Sequence, residues 1–144
     1  METAGEAPVS DRQMMVSLIE RAVRARVAVD VEQLRNVLDP NVTFRLIGGS
    51  LNAFPLPRRR FGADALIQMA IELRMVFEHV ESVILDMTIE GDRAVVLRKS
   101  TVANVGTGRV YEIHATDWIR VSKGRIVEML EMTDGAVSVA AAGD

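Results

Sequence analysis

Apolar residues recur at helical spacing in three parts of the chain, and each part predicts an amphipathic helix. The first helix is expected from about Asp11 to Val29, and the third from Ala63 to about His79. A second, short helix starts at Asp30 and ends before Pro40, because proline disfavours helix in the residue before it. Three arginines of the first helix are expected to form a solvated face: Arg21, Arg24 and Arg26.

Alternation of apolar and polar residues predicts five strands after the second helix. Their expected ranges are Val42–Leu46, Glu81–Glu90, Ala94–Val105, Arg109–Val121 and Arg125–Thr133. The stretch Ser50–Arg60 contains two prolines and is predicted to be a long loop, either a lid or a simple edge crossing. Its three arginines, at 58–60, form either a solvated turn or a contact for an anionic substrate.

The order of these elements sets the fold class. Helices that precede a run of antiparallel strands describe an α+β domain, with the helices packed on one face of a curved sheet. At 144 residues the chain is long enough for one such domain. We expect this domain to cover residues 10–134, with flexible tails at 1–9 and 135–144.

Composition narrows the possible partners. The net charge is −3 and aromatic residues make up 4% of the chain, whereas nucleic-acid binding needs a basic face and stacking platforms. No apolar run approaches the roughly 18 residues of a membrane span, and the acidic start does not resemble a signal peptide. The absence of cysteine is consistent with a cytoplasmic protein. We therefore expect no nucleic-acid partner and no membrane partner.

One acidic residue interrupts the apolar face of the strand Arg109–Val121. Alternation places Asp117 with Ala115 and Ile119, and burying a lone carboxylate costs several kcal/mol unless it is paired or protonated. A buried carboxyl group tends to have a raised pKa, which suits a general acid or base near neutral pH. A structural aspartate satisfied by a nearby serine, tyrosine or arginine explains the pattern equally well.

The opposite face of the same strand is polar and carries His114 and Trp118. An aromatic side chain on the outer side of a sheet suggests contact with a partner, so we predict a homodimer through this face. His114 is expected at the surface or in the subunit contact. His79 is the only other histidine, and no His/Glu cluster has the spacing of metal ligands, so no metal site is predicted.

Four short motifs surround the acid: Thr107-Gly108-Arg109, Asp117-Trp118-Ile119-Arg120-Val121, Gly124-Arg125-Ile126, and the stretch from Glu128 to Asp134. Together with the order of elements, they resemble the SnoaL-like polyketide cyclases of the nuclear transport factor 2-like superfamily. The resemblance implies a cone-shaped α+β barrel, in which three helices from the N-terminal half cap a curved antiparallel sheet around an apolar cavity. In the cyclases the inward aspartate that Asp117 matches is the acid/base of aldol ring closure.

The chain is also similar to the limonene-1,2-epoxide hydrolase group over residues 94–134. That group uses a tyrosine, an asparagine and an arginine between two aspartates, and the matching positions here are Phe44, Leu46, Arg98, Ser100 and Glu131. Only the arginine persists, with Glu131 a longer carboxylate, so most of the hydrogen bonds that would hold and deprotonate a water for epoxide hydrolysis are missing. Steroid isomerases of this fold need a base where Leu46 stands, which excludes their reaction as well. The alignment implies that Arg98, Ser100, Glu131 and Thr133 lie on the inner face.

Two hypotheses for the function follow. The first is a cofactor-free enzyme acting on a small apolar carbonyl or epoxide compound, in which Asp117 moves the proton. Arg98 would stabilise an oxyanion, and Glu131 would hold Arg98 or act as a second base. The expected substrate-binding residues are Phe44, Leu46, Val96, Ser100, Val102, Ile113, Ala115, Met129 and Thr133. The second hypothesis is a non-catalytic ligand-binding or dimerisation module with the same cavity. We favour the enzyme, because three ionisable groups in an apolar pocket cost free energy to keep.

Overall fold

The computed structural model describes residues 6–47 and 59–134, which form three helices and six strands. The helices are α1 (Glu6–Ala28), α2 (Val31–Val37) and α3 (Ala63–Val76). The strands are β1 (Leu38–Ile47), β2 (Arg59–Phe61), β3 (Phe77–Glu90), β4 (Arg93–Asn104), β5 (Val110–Ser122) and β6 (Arg125–Thr133).

The six strands form one sheet in the order β2-β1-β6-β5-β4-β3, and the three helices pack against it. This arrangement confirms the predicted α+β class. The core between the layers includes Ile19, Val37, Phe44, Val96 and Ile126. In the described part of the chain the sheet remains open, with β2 and β3 at its edges. Its strands pair antiparallel, with the exception of β1 and β6, which run parallel.

The junction between α2 and β1 follows the predicted signals. Asp30 caps α2, and its side chain accepts a hydrogen bond from the backbone N–H of Gln33 at 3.2 Å. The helix ends at Val37, ahead of Pro40, because proline disfavours the helical conformation in the residue before it. β1 nevertheless includes Pro40, because the pairing of β1 with β6 is irregular at this point, so the missing N–H breaks no regular ladder.

The end of α3 differs from the sequence prediction. The helix stops at Val76 rather than near His79, and the N–H of Phe77 donates to the carbonyl of Leu73 to close its last turn. β3 then starts at Phe77 and pairs with β4 along its length. This tertiary pairing outweighs the helical periodicity that continues to Phe77 in the sequence.

Two further boundaries differ. α1 begins at Glu6, ahead of the expected Asp11. Arg59 and Arg60 were predicted to belong to a loop, but they pair with β1 as part of β2. Residues 1–5, 48–58 and 135–144 lie outside the described residues, and with them the rest of the predicted loop and most of both predicted tails. None of the helices in the described ranges has the length and apolar content needed to cross a bilayer.

Candidate functional site

Three adjacent strands bring the predicted acid together with two other charged side chains. Asp117 on β5 stands opposite Glu131 on β6 and opposite Val96 on β4. Arg98 follows Val96 by two residues, so its side chain lies on the same inward face of the sheet. All three charged residues are buried, Arg98 with 6% of its surface exposed and Asp117 and Glu131 with 4% each.

Arg98 bridges the two carboxylates. Its Nε donates a hydrogen bond to Oδ2 of Asp117 at 2.5 Å, and its Nη2 donates to Oε1 of Glu131 at 2.9 Å. A second guanidinium, that of Arg26 on α1, donates through Nη1 to Oε1 of Glu131 and through Nη2 to Oε2 at 3.3 Å. We call these four residues the ion-pair network. Two cations face two carboxylates, so the network is neutral when both acids are ionised.

The prediction that Arg26 is solvated is wrong, since 23% of its side chain is exposed and its head group contacts the buried Glu131. The sequence does contain a signal for this position. From Leu18, steps of four residues lead through Ala22 to Arg26, which therefore continues the apolar stripe of α1. An arginine can lay its aliphatic stem along a core while its head group reaches a buried acid.

The network shifts its two carboxyl groups in opposite directions. Burial raises the pKa of Asp117 to about 6, and this outweighs the attraction of Arg98. Burial acts on Glu131 as well, but the charges of Arg26 and Arg98 overcome it and lower the pKa of Glu131 to about 2. A hydrogen bond with Asp117 adds to this lowering. A proton carried by Asp117 therefore lies next to an ionised Glu131.

An apolar cavity adjoins the network. Arg98 and Glu131 line it together with seven of the nine predicted substrate-binding residues, Phe44, Leu46, Ser100, Val102, Ile113, Ala115 and Thr133. The enclosed part of the cavity measures about 90 Å³. This is smaller than the roughly 300–1,000 Å³ of typical small-molecule sites, so a ligand of ordinary size would extend into the open mouth.

Three of the predicted site residues lie elsewhere. Val96 is fully buried in the core. Met129 packs against the core and borders a separate groove along β1, β2 and β6. Asp117 contacts Arg98 but is not among the described residues that line the cavity. Asp117 can therefore reach the contents of the cavity only through Arg98 and Glu131.

Further lining residues of the cavity come from α3 and the start of β3, which supply Met69, Leu73, Phe77 and His79. These residues were not predicted as site residues, because a helix extended to His79 hides the strand on which Phe77 and His79 share one face. Burial and the charges of Arg26 and Arg98 lower the pKa of the partly buried His79 to about 4. The imidazole is therefore uncharged at neutral pH.

The remaining polar groups on the wall are two hydroxyl groups, those of Ser100 and Thr133. Oγ of Ser100 lies 3.1 Å from Oγ of Ser82 on the neighbouring strand β3, so this hydroxyl already has a partner. Within the described ranges, no group of three or more His, Cys, Asp or Glu side chains is placed to hold a metal ion. The wall thus offers guanidinium, carboxylate, imidazole and hydroxyl groups for chemistry.

Helices packed on a curved sheet, with a cavity between the layers, define the nuclear transport factor 2-like class of α+β folds. Residues 19–129 match the model of the SnoaL-like domain, and the chain belongs to this family. No curated protein matches the chain significantly.

Solved structures share the fold. A candidate isomerase from Rhodopseudomonas palustris has a TM-score of 0.78 at 18% identity, over 87% of this chain and 95% of that one. A candidate SnoaL-like polyketide cyclase from a Jannaschia species has a TM-score of 0.75 at 20% identity, over 90% and 91% of the two chains. IdmH, a candidate polyketide cyclase from Streptomyces antibioticus, has a TM-score of 0.70 at 21% identity, over 90% and 98%. At these identities the similarity establishes the fold.

Proposed function

We propose that the protein is a SnoaL-like enzyme that performs cofactor-free acid/base chemistry of the cyclase, isomerase or hydrolase type. Its substrate is a small, largely apolar carbonyl or epoxide compound. The observation that carries the proposal is the ion-pair network at the wall of an apolar cavity. Four charges buried together cost desolvation free energy that an apolar core of the same volume avoids, so their presence calls for a role.

Each residue of the network has a distinct role in this proposal. Arg98 lines the cavity, where the positive charge of its guanidinium stabilises negative charge that develops on a substrate oxygen. Asp117 takes up and releases the proton near neutral pH, because its pKa is raised to about 6. Glu131, whose pKa is lowered to about 2, stays ionised and holds Arg98 at the cavity wall. Of the two substrate types, a carbonyl compound fits these roles better. Removal of a proton from the carbon next to the carbonyl group leaves negative charge on the carbonyl oxygen.

One observation favours a second candidate, a ligand-binding module without turnover. Both carboxylates are held by arginine, and Asp117 lies outside the lining of the cavity. Such a saturated network can fix the fold and the shape of a cavity without moving protons. In that case ligands bind and leave unchanged.

Hydrogen–deuterium exchange at carbon separates the two candidates without knowledge of the natural substrate. We expect the protein to exchange the protons next to the carbonyl of 2-tetralone in deuterium oxide, followed by proton NMR. Asp117→Asn should lower this rate about 10²-fold while leaving ketone binding in place, because the amide cannot store the proton. Asp86→Asn, on the exposed part of β3, is the matched control and should exchange at the wild-type rate.

A folded Asp117→Asn variant that exchanges at the wild-type rate would refute the acid/base role of Asp117. Binding of the ketone without any exchange, in the wild type and in both variants, favours the ligand-binding module. Near-ultraviolet circular dichroism establishes that each variant is folded.

The outer face of the sheet supports the proposal of a homodimer. Val95 and Trp118 are paired across β4 and β5, and Leu97 and Met132 are 37% and 44% exposed on the same face. The guanidinium of Arg93 lies 5.7 Å from the centre of the Trp118 ring and covers part of it. These four apolar side chains share one face, with Thr116 between Leu97 and Met132, and such exposed apolar patches are found at subunit contacts.

We expect Leu97→Glu to convert the dimer into a monomer, because a charge in the centre of the patch would be desolvated on association. Sedimentation velocity at micromolar concentration measures this change. Met75→Glu is the matched control, since Met75 is 75% exposed on α3, away from the patch, and should leave the dimer intact. A wild-type protein that sediments as a monomer would contradict the proposal.

A further inference from the structure

The strand that follows α3 carries a histidine into the cavity. His79 pairs with Val102 of β4, and both side chains line the cavity together with Phe77, two residues earlier on β3. The register of β3 against β4 shifts between His79 and Glu81, so the regular ladder is interrupted directly after the histidine. Such irregularities bend a strand and re-aim its side chains, and they are frequent next to active sites.

Charged groups from four elements act on His79. They are Arg26 on α1, Arg74 on α3, Arg98 on β4 and Glu131 on β6. Three of these four groups are cations, and the one acid is already paired with two of them. The imidazole therefore lies beside hydrogen-bond donors, and its uncharged form offers a nitrogen lone pair to the same end of the cavity.

We propose that His79 is the base of the reaction, taking the proton from a carbon next to a carbonyl group whose oxygen is bound by Arg98. This inference rests on the proposed function and names its substrate class, a ketone or related carbonyl compound with an acidic C–H bond.

The proposed proton transfer needs no group other than the substrate, His79 and Arg98. The C–H bond breaks, its electron pair enters the carbonyl group to form an enolate, and an N–H bond forms on the imidazole. The negative charge on oxygen is stabilised by the guanidinium of Arg98. The imidazolium then returns the proton to the same or another carbon in an isomerisation. In a ring closure it returns the proton to the alkoxide that forms after the enolate attacks a second carbonyl group.

A second, smaller cavity supports this role, because it gives the imidazole access to solvent. Arg26, Leu73 and His79 line both cavities and so form the partition between them. Arg74 and the exposed Glu78 lie on the outer side of this partition. His79 can therefore exchange its proton with water on the side of the smaller cavity while a ligand fills the main cavity. Isotope exchange at carbon requires such an exchange with the solvent.

The imidazole of His79 is uncharged at neutral pH, as a group that accepts a proton must be. Burial and the nearby arginines lower the pKa of His79 to about 4, whereas the carboxylate of Glu131 opposes this only in part. Glu131 is hydrogen-bonded to both arginines and its pKa is lowered to about 2, so it is a weaker base than a free carboxylate, and Asp117 is not among the described residues that line the cavity. Among the titratable groups that line the main cavity, His79 is the best placed to accept a proton at neutral pH.

The test uses the two histidines of the chain as a matched pair. We expect His79→Gln to lower the rate of deuterium exchange into 2-tetralone by 10²-fold or more, with little change in KM. His114→Gln, on the exposed outer face, should leave the rate unchanged. His79→Ala should regain part of the exchange when imidazole is added to the solution, whereas His114→Ala should not respond. A purely structural role of His79 predicts no such rescue.

The outcomes distinguish this inference from the proposed function. If His79→Gln exchanges within about two-fold of the wild type while Asp117→Asn does not, His79 is not the base and the proposed function stands. If the wild type exchanges nothing, the proposed reaction on this ketone fails, and a second probe decides about His79. Binding of 2-naphthol, a planar enolate analogue whose O–H can donate a hydrogen bond to the imidazole, should then shift the His79 ring signals in proton NMR. Unchanged His79 signals with bound 2-naphthol would overturn the inference.

Discussion

We expect Arg98→Met to lower the free energy of unfolding by about 3–5 kcal/mol. Arg98 is hydrogen-bonded to both Asp117 and Glu131, and each of these three residues is at most 6% exposed. Methionine fills much of the volume but leaves Asp117 without its cation, and a buried unpaired carboxylate is costly. Urea denaturation at neutral pH, followed by circular dichroism, measures the loss.

The outer face of the sheet provides the control for this variant. Arg120 on β5 pairs with Glu128 on β6 at 3.1 Å, with 38% and 37% of the two side chains exposed. Arg120→Met should therefore cost only about 0–1 kcal/mol. The double variant Arg98→Met/Asp117→Leu should recover a large part of the lost stability, because it removes the unpaired charge. A double variant no more stable than Arg98→Met would show that lost packing, rather than the charge, explains the effect.

The second large effect is a pair of opposite pH dependences. The folded-state pKa of Asp117 is raised from 3.8 to about 6, so the folded state binds the proton more tightly and Asp117 contributes stability at low pH. This contribution, about 3 kcal/mol for two pKa units, is lost as the pH rises through 6. The folded-state pKa of His79 is lowered from 6.5 to about 4, so its contribution is present above pH 6.5 and is lost as the pH falls toward 4.

Single variants separate the two contributions, which partly cancel in the wild type. Between pH 4.5 and 6.5, the stability of Asp117→Asn relative to the wild type should rise with pH, whereas that of His79→Gln should fall. Glu131 stays ionised over this range, because its folded-state pKa is lowered to about 2. Urea denaturation in half-unit steps of pH measures both slopes, and His114→Gln supplies the baseline. Equal slopes for the two variants would contradict the assignment of these pKa shifts.

Much of the fold was predictable from local patterns. Alternation along β5 identified Asp117 as an acid on an apolar face, and the structure buries this residue. The inner faces of β4 and β6 could not be read in the same way, because the cavity end of the sheet carries Arg98, Ser100 and Glu131 among its apolar residues. Periodicity alone does not distinguish a polar residue on the inner face of a strand from a polar residue on its outer face. Only the register between strands, or a resemblance to proteins of known structure, separates them.

The positions of Arg26 and His79 were predicted wrongly, and each error has a physical cause. Arg26 continues the apolar stripe of α1 and is only partly exposed, but its partner Glu131 lies 105 residues further along the chain, so no pattern near Arg26 indicates the ion pair. His79 was assigned to the end of a helix, since no glycine or proline marks the change from α3 to β3. The boundary is set by pairing with the end of β4, where Phe77 meets Asn104 and His79 meets Val102, each more than 20 residues further along the chain. Site residues at such junctions depend on long-range contacts.

The parallel pair β1–β6 has a consequence for how the protein folds. β1 pairs with residues of β6 that lie at least 85 positions later in the chain, and Arg26 meets Glu131 across a separation of 105 residues. Contacts of this kind close long loops, and chains rich in them fold slowly. During synthesis the hairpins of β3, β4 and β5 can form early, whereas the segment from α1 to β1 must wait until β6 has left the ribosome. The ion-pair network should therefore be among the last features to form.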